Sequence, residues 1–144
     1  MKNQVIALIV ASCLAGCATP PTAGLAGDLV FEVAPDKAGV YVFRTGTAGA
    51  AIRIGVELDG APIGATVAQT HLYSEIEPGR HTLSSAAQNR ATLQFDAKPG
   101  EVIFVRQDFQ LGYLQAHTRL RKVPPSEGMT AVRQTSAVKP DILR

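Results

Sequence analysis

The chain has no tryptophan, and only 6% of its 144 residues are aromatic. Sugar-binding surfaces stack their ligands on exposed rings, tryptophan above all, so this poverty argues against a carbohydrate-binding module. Cysteine occurs only at Cys13 and Cys17. Everything after position 17 therefore has no disulfide, no cysteine metal ligand and no thiol nucleophile, and packing must hold it together. Charge is sparse as well: 18% of residues are charged and the net charge is +2. That balance argues against nucleic acid as a partner, which calls for a strongly basic face. The apolar run from Val5 to Ala11 is far shorter than the ~20 residues a transmembrane helix needs. There is no Gly-x-Ser-x-Gly elbow, no His-Glu-x-x-His and no glycine-rich loop leading into a helix, so the common signatures of serine hydrolases, zinc proteases and phosphate binders are missing.

What is present begins at the N-terminus. Lys2 precedes the apolar run, and Leu14-Ala15-Gly16-Cys17 closes it, the three-part layout of a secretory signal. The closing tetrapeptide resembles the lipobox of bacterial lipoprotein signal peptides. The resemblance implies cleavage before Cys17 and a covalent diacylglycerol and N-acyl chain on that cysteine, with no other cofactor. More than one acyl chain makes a stable rather than reversible anchor. Ala18 stands where an aspartate often retains such proteins in the inner membrane, so the resemblance points to the outer membrane, facing the periplasm. Both cysteines are then accounted for. Cys13 leaves with residues 1–16 and Cys17 carries lipid.

The rest divides into three stretches. Residues 17–37 read as the lipidated cysteine and a Thr/Pro/Gly/Ala tether, in which Leu29-Val30-Phe31-Glu32-Val33 is either a short strand or an apolar segment that docks on the domain. Residues 38–123 read as β structure. Val40-Tyr41-Val42-Phe43-Arg44 and Val102-Ile103-Phe104-Val105-Arg106 have no polar alternation and predict strands covered on both faces. Ile52, Ile54, Val56 and Leu58 alternate with polar residues and glycine, and Asp59-Gly60 predicts a tight hairpin. Pro78-Gly79 and Pro99-Gly100 mark further turns. Leu114, Ala116, Thr118 and Leu120 alternate in a last strand. About seven or eight short strands at this spacing predict an all-β, two-sheet antiparallel sandwich. Residues 124–144 read as a C-terminal extension, with a short helix over Met129 to Gln134 capped by Ser126 and a tail after Thr135 of little core potential.

Leu58-Asp59-Gly60, Ile63-Gly64, His71-Leu72-Tyr73 and Pro78-Gly79-Arg80-His81-Thr82-Leu83, in this order after Val40-Tyr41-Val42-Phe43-Arg44, resemble the pattern of a family of uncharacterised bacterial lipoproteins that share a domain of unknown function. The match runs from Ala38 to Leu120. Its Asp-Gly and Pro-Gly-x-His elements are also similar to PEGA-type surface domains and transthyretin-like modules. The resemblance implies fold and location, and it brings no catalytic residues with it.

Candidate chemistry is thin. His71, His81 and His117 have no metal-ligand spacing, and His81 after its Pro-Gly turn is expected to hydrogen-bond backbone. Ser84 and Ser85 lie within a strand, and Glu75 and Glu77 predict a solvated edge. One cationic cluster stands out: Arg119, Arg121 and Lys122, joined by Arg106. Arg44 and Arg106 end the two most apolar strands, and read either as two independent rim residues or as one shared rim patch that the Tyr41 hydroxyl also reaches. These five cations form a candidate partner or anion surface. The resulting expectation is a non-catalytic binding or scaffolding module of the cell envelope, held to the lipid bilayer through Cys17, whose partner is an envelope protein or peptidoglycan and not nucleic acid. The alternatives are a small-ligand carrier with an apolar cavity between the sheets and an envelope enzyme of unrecognised type.

Overall fold

The computed structural model describes residues 29–112 and 115–138. The signal segment, Cys17, the tether up to position 28, Tyr113, Leu114 and residues 139–144 lie outside the described residues. The elements are β1 (Ala38–Arg44), β2 (Ile54–Leu58), β3 (Ala61–Thr66), β4 (Thr70–Ile76), β5 (Gly79–Ala86), β6 (Arg90–Ala97), β7 (Val102–Leu111), β8 (Ala116–Val123), α1 (Pro125–Arg133) and β9 (Ser136–Ala137).

They form two sheets, one with the order β8-β7-β1-β4-β9 and one with β3-β2-β5-β6. The first sheet is mixed: β1 runs antiparallel to β4 but parallel to β7, with Tyr41 opposite Phe104. β9 also lies parallel to β4. Hydrophobic alternation cannot distinguish these arrangements, because strand direction does not alter which side chains share a face.

All seven residues of β1 are buried, as the absence of polar alternation predicts. Its side chains divide between two cores. Ala38, Val40 and Val42 join Val56, Leu72, Leu83, Phe95, Ile103 and Val105 between the sheets. Tyr41 and Phe43 face the other way and join Phe104, Val123, Ala131 and Val132. The first sheet therefore needs cover on its outer face, and residues flanking the strands supply it.

Helix α1 is one half of that cover. It begins at Pro125 rather than near Met129, and Pro124, not Ser126, occupies the cap position without a side-chain cap bond. A proline in the first turn has no N–H to lose and a preset φ, so the Pro-Pro pair starts the helix earlier than a serine cap would. Gly128 is the point of closest approach: a Cβ there would sit 2.1 Å from Cγ of Phe104. The glycine that weakens the helix by propensity is what lets the helix lie on the ring. The other half of the cover is the segment before β1. It forms no strand. Leu29 and Phe31 pack on the same core, Phe31 lies 6.3 Å from the Phe104 ring and beneath the Arg133 guanidinium, and Val30 N–H donates to the Tyr41 hydroxyl at 2.7 Å.

The chain after Thr135 contributes more than its composition suggests. Ser136 N–H donates to Gln69 O, Val138 N–H donates to His71 O, and Val138 packs against the inter-sheet core. The folded unit thus runs past residue 123 and includes both α1 and β9. The Asp59-Gly60 turn forms as expected, with φ of 51° and 83° at its two central residues, the left-handed pair that a two-residue hairpin demands.

Gly128→Ala should destabilise the fold by about 1–3 kcal/mol, because the ring of Phe104 is enclosed and has nowhere to move. Urea unfolding of the two proteins measures this, and equal midpoints would contradict the close packing described.

Candidate functional site

The candidate cations sit on the β7–β8 hairpin, whose register sets Arg106 opposite Arg121 and Asp108 opposite Arg119. Arg106, Asp108, Arg119 and Arg121 share the outer face, the one that α1 also covers. Side chains two apart on a strand point the same way, so this grouping follows from the register. Asp108 Oδ1 accepts from Arg106 Nε at 2.9 Å, and its Oδ2 faces Arg121 Nε at 3.4 Å. Glu127, in the first turn of α1, lies 3.6 Å from Arg106 Nη1 and 3.7 Å from Arg121 Nη2. Lys122 projects to the other face and pairs with Glu101 at 3.3 Å. The Glu101 carboxyl is raised by burial, but the Lys98 N–H and Lys122 outweigh this and hold it below its ordinary range. Each such exposed pair contributes only ~0–1 kcal/mol. Their effect on the charge the surface presents is larger, because they neutralise most of the cluster. Arg119 is exposed and, among the described residues, has no ion-pair partner.

Beside Arg119 lies the free edge of the first sheet. β8 is an outermost strand, and in an antiparallel pair alternate residues aim both backbone groups away from the partner. Thr118 shows which set does so. Its N–H donates to Asn89 Oδ1 at 2.7 Å and its C=O accepts from Asn89 Nδ2 at 2.9 Å. Ala116 N–H likewise donates to Gln88 Oε1. The β5–β6 turn thus places two side-chain amides where a neighbouring strand's backbone would be. Leu120 and Lys122 are in phase with Thr118, so their backbone groups also face outward, and no described residue meets them. Next to this edge is a groove of about 400 Å³, lined by Asn89, Ala91 and Thr92 on one side and by His117, Thr118, Arg119 and Leu120 with Asp108 and Gln110 on the other.

Arg44 is not part of this surface. It is 1% exposed, and its place on β1 points it to the inter-sheet face, opposite to Arg106. Arg44 is therefore no rim residue, and a rim patch shared with Arg106 and Tyr41 does not form, because neighbouring positions in parallel register point to opposite sides of the sheet. Arg44 instead fastens the loop that follows it. Nη1 donates to Ile52 O at 2.9 Å and Nη2 to Ala48 O and Gly49 O at 2.5 and 2.9 Å. The guanidinium lies 4.7 Å from the centroid of the Phe109 ring. Three carbonyls and a ring face replace a carboxylate, and burial lowers the guanidinium's affinity for its proton.

The remaining candidates are dispersed. His71 is buried against Tyr41 and faces Thr135 Oγ1 at 2.9 Å. Thr135 donates its own proton to Val132 O, so His71 Nδ1 is the donor. Burial pushes the His71 pKa down, keeping the ring neutral. His81 joins two turns: Nε2 meets Glu77 O at 2.7 Å and Nδ1 meets Asp59 Oδ2 at 2.6 Å. Burial opposes protonation of His81, but the Asp59 carboxylate and the Glu77 carbonyl outweigh it and raise the pKa. Ser85 is wholly buried in a polar relay with Gln107 and Thr118. Glu77 pairs with Lys37. Among the described residues, no three His, Cys, Asp or Glu side chains gather as metal ligands would. The groove residues from β6 escape sequence reasoning altogether, since β6 and β8 belong to different sheets. Asp108 carries a readable signal, two residues after Arg106 on one strand.

Two outcomes follow. Arg44→Ala should cost about 2–3 kcal/mol, because three loop carbonyls lose a charged donor, and it should open residues 45–53 to limited proteolysis; an uncleaved loop of wild-type stability would refute the clamp. The His81–Asp59 pair acts over a defined pH window. A raised histidine pKa contributes stability that is complete below the unfolded value of 6.5 and fades as pH climbs through the folded value. The hydrogen bond from His81 lowers the Asp59 pKa, so that part holds above 3.8 and is lost below it. The Tm gap between wild type and His81→Gln should therefore be wider near about pH 5.5 than near about pH 8.5, and a gap indifferent to pH would sink the assignment.

Comparison with curated proteins and with solved structures finds no match. Comparison with protein families matches residues 34–119 to DUF2846, described as a protein of unknown function. That span holds β1 to β7 and the first half of β8, and it leaves α1, β9 and the cations Arg121 and Lys122 outside. Since it covers more than half of the chain, the protein belongs to the DUF2846 family.

Proposed function

We propose that this protein is a lipid-anchored docking module of the bacterial envelope, non-catalytic, facing the periplasm from the outer membrane. The anchor rests on Leu14-Ala15-Gly16-Cys17 and on Ala18. Cys17 carries the diacylglycerol and N-acyl chains, and cleavage leaves it at the head of the tether. Eleven residues, 18–28, separate it from Leu29; extended at ~3.4 Å each they reach about 37 Å. A span of that length keeps the domain near the membrane.

The observation that carries the docking role is the open part of the β8 edge beside a polar groove and Arg119, which has no ion-pair partner among the described residues. Exposed edges are a hazard that proteins normally cover. Here Gln88 and Asn89 cover the edge at Ala116 and Thr118 and leave it open at Leu120 and Lys122. An envelope protein fits this better than a charged surface does, because Asp108, Glu127 and Glu101 occupy most of the cationic cluster. A carrier role draws less support, since the inter-sheet space is filled by Val40, Val42, Val56, Leu83, Phe95 and Val105.

Cys17→Ser should abolish palmitate labelling and release the protein into the soluble periplasmic fraction; continued labelling would show that Cys17 is not the lipid site. A photocrosslinker at Arg119 should capture a discrete envelope protein from living cells. Capture of peptidoglycan fragments alone would replace the protein partner with the cell wall.

A further inference from the structure

We infer that the open edge of β8 accepts an extended peptide segment as an added strand, and that the segment carries acidic residues on either side of an apolar one. This rests on the docking reading above and names the partner's chemistry. Leu120 and Lys122 present outward N–H and C=O groups, because they are in phase with Thr118, whose own outward groups are taken by Asn89. An incoming strand would bond to both. Strand addition draws its affinity from such main-chain bonds and its specificity from alternate side chains.

The alternation fixes the pattern. Arg119 and Arg121 lie on the outer face of the sheet, with Leu120 between them on the inner face. Side chains directly opposite each other on paired strands sit about 5 Å apart. Residues of the added strand opposite Arg119 and Arg121 therefore meet guanidinium groups on the outer face. The residue opposite Leu120 points to the inner side of the edge, where Leu120 and Ala91 are the apolar members of an otherwise polar groove. Acidic, apolar, acidic is the order that satisfies all three. Asp108 stands opposite Arg119 but pairs with Arg106 and Arg121, so Arg119 has no ion-pair partner among the described residues, whereas Arg121 shares Asp108 and Glu127 at 3.4 and 3.7 Å; the acid facing Arg119 therefore contributes most.

The same charges exclude a second copy of this chain. Two β8 edges paired with each other would bring their arginines together, and like charges directly opposite are unfavourable. The Gln88 and Asn89 amides also limit the register. A strand can pair at Leu120 and beyond but meets an occupied edge at Thr118, so the added segment is short.

The test uses the full chain and a synthetic acetylated, amidated Glu-Val-Glu-Val-Glu peptide. Peptide addition should slow hydrogen exchange at the Leu120 and Lys122 amides and leave the Thr118 amide unchanged. The same peptide N-methylated at alternate residues, and its Lys-Val-Lys-Val-Lys counterpart, should not. Lys122→Pro removes an outward N–H without breaking a ladder bond and should abolish binding, whereas Lys122→Ala should retain it. Arg119→Glu should weaken binding by about fivefold or more, as expected for one lost cross-strand charge pair replaced by a repulsion. No protection up to millimolar peptide overturns the inference. So does equal protection by the basic peptide, or protection produced only by vesicles containing anionic phosphatidylglycerol. An envelope partner still crosslinked by Lys122→Pro would overturn the edge assignment and leave the docking role standing; loss of every crosslink in wild type would remove the docking role itself.

Discussion

The structure depends on one constraint: β1 must be covered on both faces. A run of seven residues with no exposed member cannot lie on a half-open sheet, where one face would leave Tyr41 and Phe43 in water. Burying a large side chain contributes ~1.5–3 kcal/mol, so the pressure to cover the outer face is considerable. The second sheet covers the inner face. The outer face is covered by α1 and by the segment around Phe31, which come from opposite ends of the described chain. The family match ends at residue 119, yet the cover it requires includes Ala131 and Val132 beyond that point and Phe31 before it.

This cover also shapes the candidate site. Because α1 lies on the outer face, its Glu127 is brought to Arg106 and Arg121, and the hairpin's cations are neutralised by a residue some distance along the chain. Arg119 is one pair of residues further from the helix and is spared. The first turn of the helix reaches Arg121 and no further along β8, so Arg119 stays exposed. On the inner side the β5–β6 turn stops at Thr118. Two coverings that end at neighbouring positions on β8 leave the open edge between them.

Much of this was legible in the residues. The strands, the Asp59-Gly60 hairpin and the two doubly covered strands follow from side-chain period, turn chemistry and apolar content, which leave the segment around Phe31 open between a strand and a docking segment. The backbone role of His81 follows from the Pro-Gly turn before it, though its bond to Asp59 joins two turns that are not adjacent in sequence. The helix starts before Ser126, an ordinary cap residue, because Pro124-Pro125 is a stronger reason to begin. The strand at Ser136–Ala137 was not legible, since two small residues have no periodicity; the open edge of β4 recruits them.

Arg44 marks the boundary between the two kinds of knowledge. An arginine at the end of an apolar strand is compatible with a rim or with the interior. The interior prevails because the loop after β1 folds back and offers three carbonyls to the guanidinium, with Phe109 of a distant strand completing the site. The same holds for the cluster at Arg106, Arg119, Arg121 and Lys122. Strand period determined which of them share a face, but which of them keep a free charge depends on carboxylates brought in by neighbouring strands and by the helix. Charge is fixed by composition, and its availability is fixed by packing.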